Sequence, residues 1–253
     1  MHLKASMLGK MGAGTIADKA ANLRSLYGFV WMYPGKKLLF MGSEFGQRSE
    51  WNYDAGLDWD LLRQPEHEGL RVLVRDLNRL YTGDPVLGTN DFRPDSFRWV
   101  NCTDGDHSTI SFLRTDPAGK AAYLVVGNFT PMTRTRFLVG VPHRGYWREV
   151  LNTNSSFYGG AGFGNHGGRQ ASTALADGFE QSLSLTLPGL SVLVFKWSAD
   201  APGIGPQGVM RRGTRCATLN VERCAALQRG ASILMFSLSS VTPSWRSYSA
   251  SAL

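Results

Sequence analysis

Ser182-Leu183-Ser184-Leu185-Thr186-Leu187-Pro188-Gly189-Leu190-Ser191-Val192-Leu193-Val194-Phe195-Lys196-Trp197 is the stretch that decides the fold. In its first six residues leucine alternates strictly with small hydroxyl residues, the period-two pattern of a strand with one buried face. Pro188-Gly189 reads as a turn, and Ser191 to Trp197 returns as a second β-rich run. Working backwards, short runs of the same kind recur between turn residues at Phe97–Val100, Thr109–Leu113, Tyr123–Asn128, Phe137–Val141 and Trp147–Leu151. Strands this short and this regularly spaced predict an antiparallel β-sandwich. Its expected core is Phe97, Trp99, Ile110, Phe112, Leu124, Val126, Trp147, Leu183, Leu185, Val192 and Val194, alternating toward one side of each strand.

Before Asp84-Pro85 the period is 3.6 instead of 2. Leu23, Leu26, Tyr27, Val30 and Trp31 mark one face of a helix that Pro34-Gly35 ends. A second helix is expected over Pro65–Tyr81, with Pro65 in its first turn, Glu66 and Glu68 at its positive end, and Leu70, Leu73, Val74, Leu77, Leu80 and Tyr81 on one face. Between them Leu38-Leu39-Phe40-Met41 is a continuous apolar run, expected to be a strand buried on both faces. After Trp197 neither period persists, lysine disappears, and Gly, Ser, Pro and Arg dominate, so residues 198–253 are expected to be a basic, disordered tail.

The 253 residues, 43 % apolar, exclude collagen, wholesale disorder and a disulfide miniprotein. No run approaches eighteen apolar residues and the first residues lack a signal pattern, so neither a membrane nor export is expected, and the expected location is the cytoplasm. Cys102, Cys216 and Cys224 fit neither a disulfide framework nor a zinc site, which predicts reduced thiols and no metal. The net charge of +7 is concentrated in the last segment, where six arginines face only Asp200 and Glu222, so no nucleic-acid partner is expected.

Residues 43–60 mix Glu44, Glu50, Asp54, Asp58 and Asp60 with Phe45, Trp51, Tyr53 and Trp59. Carboxylates accept hydrogen bonds from hydroxyls and flat rings cover the C–H faces of sugars, so the mixture suits a neutral polyol. A surface loop whose aromatics pack inward is the competing reading. Gly162-x-Gly164-x-x-Gly167 matches a dinucleotide fingerprint in letters only, since no periodic helix follows it; a loop between strands is expected. The five histidines are scattered, with no serine elbow or reactive-cysteine signature beside them.

Several longer motifs carry a family resemblance. His2-Leu3-Lys4-Ala5-Ser6-Met7-Leu8-Gly9-Lys10-Met11, Asn22-Leu23-Arg24-Ser25-Leu26-Tyr27-Gly28, Pro34-Gly35-Lys36-Lys37-Leu38-Leu39-Phe40-Met41-Gly42, Glu44-Phe45-Gly46-Gln47, Glu50-Trp51-Asn52, Val74-Arg75-Asp76-Leu77-Asn78, Gly127-Asn128-Phe129-Thr130-Pro131 and Trp147-Arg148-Glu149-Val150-Leu151-Asn152-Thr153 resemble bacterial 1,4-alpha-glucan (glycogen) branching enzymes of the α-amylase superfamily. The match runs from residue 2 to about residue 196.

The resemblance implies a fold class and a domain order. The class is an α+β multidomain fragment: the last helix–strand–helix portion of a (β/α)₈ barrel over residues 1–86, then an antiparallel all-β sandwich over residues 87–197, with residues 198–253 a low-order tail whose composition suits a shifted reading frame. It implies an enzyme family, a glycosyltransferase that cuts an α-1,4 glucan and transfers it to a 6-hydroxyl. Such retaining chemistry needs a carboxylate nucleophile about 5 to 5.5 Å from a carboxylic acid. The family's catalytic carboxylates lie upstream of the matched part, so no catalytic residue is expected in this chain and it is expected to be inactive alone, with no cofactor. Glu44, Phe45, Trp51 and Asn52 are the implied glucan-contacting residues. The implied partners are an α-1,4-glucan and a polypeptide carrying the rest of the barrel. A non-catalytic α-glucan-binding accessory module and a product that never folds stably are the alternatives. On this reading the helices around Leu26, Val30, Leu73 and Leu77 are short of apolar cover, and the first eighty residues are expected to be poorly stable.

Overall fold

A computed structural model of the chain describes residues 5–199. Helix α1 spans Ile16–Met32. Thr15 opens it with a reciprocal capping box, its hydroxyl accepting from the Asp18 N–H at 3.3 Å while the Asp18 carboxylate accepts from the Thr15 N–H at 2.9 Å. Helix α2 spans Pro65–Gly83, with Pro65 in the first turn where a missing N–H costs nothing. Asp84 then caps the one-turn helix α3, Pro85–Gly88, by accepting from the Val86 N–H at 3.0 Å.

Eight strands follow: β1 Phe97–Asn101, β2 Thr109–Thr115, β3 Ala121–Asn128, β4 Arg134–Val141, β5 Tyr146–Asn152, β6 Gly168–Gln170, β7 Gln181–Leu187 and β8 Ser191–Ser198. Six form an antiparallel sheet in the order β1-β2-β3-β8-β5-β6, and β4 pairs with β7 in a second sheet. The turn between β7 and β8 therefore passes from one sheet to the other, as a sandwich allows. One core lies between the sheets, built from Leu113, Leu124, Val126, Trp147, Leu185 and Phe195 among others.

The larger sheet is buried on its other face as well. Phe112, Tyr123, Val125, Val192 and Val194 pack against Leu23, Tyr27, Trp31, Leu70, Leu73 and Leu77 of the two long helices in a single cluster. Gly28 permits the close approach: a Cβ there would lie 2.7 Å from Thr153 Cγ2 and 2.9 Å from Val192 Cβ. This corrects the expectation of a one-sided strand core, since Phe112, Val192 and Val194 face the helices while Leu124, Val126, Trp147, Leu183 and Leu185 face the second sheet. It also corrects the expectation of uncovered helices. Leu73 and Leu77 are fully buried, and Leu26 and Val30 are partly buried against the same cluster.

Arg114 on β2 joins the helical and β parts. Its guanidinium, fully buried, donates to Met32 O at 3.1 Å, to Val86 O and Leu87 O at 3.4 Å, and to Asp91 Oδ1 at 3.2 Å. Asp91 also accepts from the Tyr81 hydroxyl at 2.8 Å. Removing one partner of such a buried pair costs about 3–5 kcal/mol, because the other charge is left uncompensated.

The strand expected at Leu38 to Met41 does not form. Residues 36–40 belong to no helix and no ladder, and Leu38 is 87 % exposed. An apolar run becomes a strand only where other strands satisfy its backbone groups, and neither described sheet reaches it. Lys37 and Leu39 turn inward from this segment, Leu39 packing against the helix–sheet core and the Lys37 ammonium donating to Tyr33 O at 2.5 Å and lying over the Tyr81 ring. The tail expected over residues 198–253 lies outside the described residues, apart from Ser198, which closes β8, and Ala199, whose N–H donates to Lys120 O at 3.0 Å. Of the cysteines, Cys102 is an exposed free thiol; Cys216 and Cys224 lie outside the described residues.

Candidate functional site

The loop after residues 36–41 is fixed by short-range turns and by buried side chains. Gly42 and Gly46, both with left-handed backbones, flank the single 3₁₀ turn Ser43–Phe45. At Gly46 a side chain would also meet Leu70 Cδ1 at 2.7 Å. The buried Tyr27 hydroxyl donates to Ser43 O at 2.5 Å, and its phenol is pushed well above the usual range by burial and then by the charge of Glu44.

His67, fully buried on α2, holds the loop from below. Its Nδ1 lies 2.9 Å from Phe45 O, and its Nε2 accepts from Arg48 Nε at 3.2 Å, which assigns the ring proton to Nδ1. Arg48 also bonds the Gln64 side chain, and its carbonyl accepts from Ser6 Oγ at 2.9 Å. Gln47, buried, accepts from the Asp58 N–H at 3.2 Å and donates to Ser49 O at 3.3 Å.

On this frame the aromatic rings divide. Phe45 is fully buried, 5.2 Å from the Trp59 ring, so it supports the loop and offers no face to a ligand. Phe40, Trp51, Tyr53 and Trp59 are exposed, with Phe40 edge-on to Trp51 at 5.4 Å. Trp51 stands between two cavities. One of about 240 Å³ is lined by Met7, Phe40, Met41, Gln47 and Glu50, and another of about 480 Å³ by Gln47, Glu50, Asn52, Leu57 and Asp58. Asn52 Oδ1 accepts from the Asp54 N–H at 3.0 Å, which turns the amide nitrogen of Asn52 into the available donor.

Of the four residues expected at a site, Trp51 and Asn52 share a cavity, Glu44 lies beside Tyr27 away from it, and Phe45 is enclosed. Phe40 was hidden from sequence reasoning by the apolar run around it. Chemically the place combines stackable rings with carboxylate and amide hydrogen-bonding groups, which matches a polyhydroxylated, uncharged ligand.

Among the described residues no three His, Cys, Asp or Glu side chains gather as metal ligands, and no helix is long and apolar enough to cross a membrane. The glycine-rich segment after β5 forms a hydrogen-bonded loop, with Ala161 N donating to Asn154 Oδ1 at 2.6 Å and Asn165 N to the Glu149 carboxylate at 2.8 Å. Burial pushes the Glu149 carboxyl up, although these hydrogen bonds oppose it.

Comparison with known proteins bears on the same residues. Residues 99–198 match the family model described as the alpha amylase, C-terminal all-beta domain. Over 196 residues the chain is 51 % identical to the "1,4-alpha-glucan branching enzyme GlgB" of Aquifex aeolicus, covering 78 % of this chain and 31 % of that protein. It is 48 % identical over the same length to the protein of that name from Prochlorococcus marinus, covering 78 % and 26 %. The chain thus spans about a third or less of the relatives it matches. Among solved structures, the catalytic module of the multi-modular glycogen-degrading pneumococcal virulence factor SpuA superposes with a TM-score of 0.51 at 14 % identity, over 76 % of this chain and 33 % of that one, a likeness of fold.

Proposed function

We propose that this chain, a relative of the carboxy-terminal portion of bacterial 1,4-alpha-glucan branching enzymes, serves as the glucan-gripping part of such an enzyme in the cytoplasm. The observation that carries the reading is the loop, supported by buried side chains, on which Trp51 and Asn52 line one cavity, Phe40 meets Trp51 edge-on, and Tyr53 and Trp59 are exposed. Rings held this way stack on glucose units, while Asn52 and Glu50 meet their hydroxyls. Branch formation, in which an α-1,4 segment is transferred to a 6-hydroxyl, needs a carboxylate pair from a polypeptide carrying the rest of a barrel. The chain by itself holds glucan and makes no branches. A purely accessory α-glucan-binding module is the second reading, favoured by the loop's hydrogen bonds to His67, Arg48 and Gln47 of this same chain.

The test has two parts. Glycogen-affinity electrophoresis of the full chain should show retardation that Trp51→Ala reduces severalfold. An assay of new α-1,6 linkages should detect none with the chain alone. Retardation indifferent to Trp51→Ala removes the site, and branching by the isolated chain removes the division of labour.

A further inference from the structure

Two cations stand directly opposite each other in the larger sheet. Arg148 on β5 is the register partner of Lys196 on β8. Side chains so placed have Cβ atoms about 4.5–5.5 Å apart, and like charges there repel. Together with Arg79 of α2 they line a cavity of about 260 Å³, which Asp84 and Tyr123 also reach.

The nearby carboxylates do not balance this charge. Asp84 already accepts from Lys196 Nζ and Tyr123 Oη, both at 2.6 Å, and from Val86 N at 3.0 Å. Asp76 is shared between Arg75 at 2.9 Å and Arg79 at 3.5 Å. Arg148 makes no ion pair among the described residues. Of the charged residues that line the cavity, Arg79, Arg148 and Lys196 therefore face only Asp84, an excess of two positive charges.

We propose that this cavity, on the seam between α2 and the β5–β8 ladder, binds a small dianion: a phosphate or phosphomonoester group held between Arg148, Lys196 and Arg79. A doubly charged group cancels the excess, and guanidinium forks match its oxygens in pairs. The volume suits a phosphate with at most one sugar attached. An uncharged glucan leaves the cross-strand repulsion in place, so this ligand is chemically distinct from the one assigned to the Trp51 loop.

The repulsion gives the test two readouts of opposite sign. Thermal unfolding and calorimetry of the full chain at low ionic strength would use inorganic phosphate, a hexose monophosphate, and potassium chloride at matched ionic strength. Both phosphates should bind saturably and raise the melting temperature beyond the chloride control. Tighter binding of the hexose monophosphate names a sugar phosphate as the natural ligand, and equal binding names free phosphate. Arg148→Gln should weaken phosphate about tenfold or more. In phosphate-free buffer the same variant should melt higher by about 1–3 °C, because the opposed charges are gone. No saturable binding, phosphate affinity unchanged in Arg148→Gln, or a variant that melts lower without phosphate each overturns the site.

Discussion

Leu38-Leu39-Phe40-Met41 and Leu193-Val194-Phe195 are apolar runs of nearly the same composition with opposite fates. The second lies in β8, paired with β3 on one side and β5 on the other, and every side chain in it is fully buried. The first belongs to no described ladder, and only Leu39 packs inward while Leu38, Phe40 and Met41 stay more than half exposed. Hydrophobicity supplies both with the same incentive to leave water. What differs is whether neighbouring strands accept the backbone groups, since burying an unpaired N–H or C=O costs about as much as a buried side chain returns. For a strand, partners decide and composition permits.

The largest effect that could break this contrast is a pair of truncations. Phe195→Ala should destabilise the chain by about 3–5 kcal/mol, whereas Leu38→Ala should change stability by less than about 0.5 kcal/mol. Urea denaturation of both variants decides it, and comparable losses would mean that residues 38–41 are packed. A smaller loss is expected from Gly28→Ala, where α1 crosses Thr153 and Val192. Alanine brings about 1 kcal/mol of helix propensity, but forcing a methyl into that contact costs about 1–3 kcal/mol, so net destabilisation with loss of near-UV dichroism is expected. A variant more stable than the parent would show that the helix and sheet can part without penalty.

The smallest effect concerns Lys37, an inward-facing residue of the exposed segment. Burial lowers its ammonium from the ordinary 10.5 to about 8, against the opposing pull of Asp91. Between pH 8 and 10.5 the unfolded chain therefore binds more protons at this site than the folded chain, and stability rises with pH through that window. Lys37→Met should flatten that rise in stability measurements between pH 8 and 10. An unchanged slope would mean that the amine stays hydrated and that Lys37 does not anchor the segment.

The sequence was most readable where one signal sufficed. The 3.6-residue periodicity, with Pro34-Gly35 ending one helix and Pro65 opening the other, located α1 and α2, and the alternation of Ser182 to Leu187 located β7. The second buried face of the larger sheet was legible in principle, since Ala121 to Gly127 reads as one continuous small and apolar run. A strand that is polar on neither face must be covered on both. The site was only half legible. Trp51 and Asn52 fall on one cavity, but nothing in the order of residues distinguishes the ring that props the loop, Phe45, from the rings that stand clear of it. That distinction is made by His67 and Arg48, whose roles depend on distances across 22 and 19 residues of chain.

The contact of Gly28 with Val192 also sets a schedule. During synthesis α1 emerges about 160 residues before the strand that covers it, and at about 5–20 residues per second that interval is on the order of ten to thirty seconds. Until β2 and β3 are made Leu23, Tyr27 and Trp31 have no sheet to rest on, their cover stays incomplete until β8 follows, and a helix of this length is marginal in isolation. The first half of the molecule is therefore born waiting for the last strand of the second, and its apolar stripe is on offer to any holding protein at the ribosome until β8 arrives.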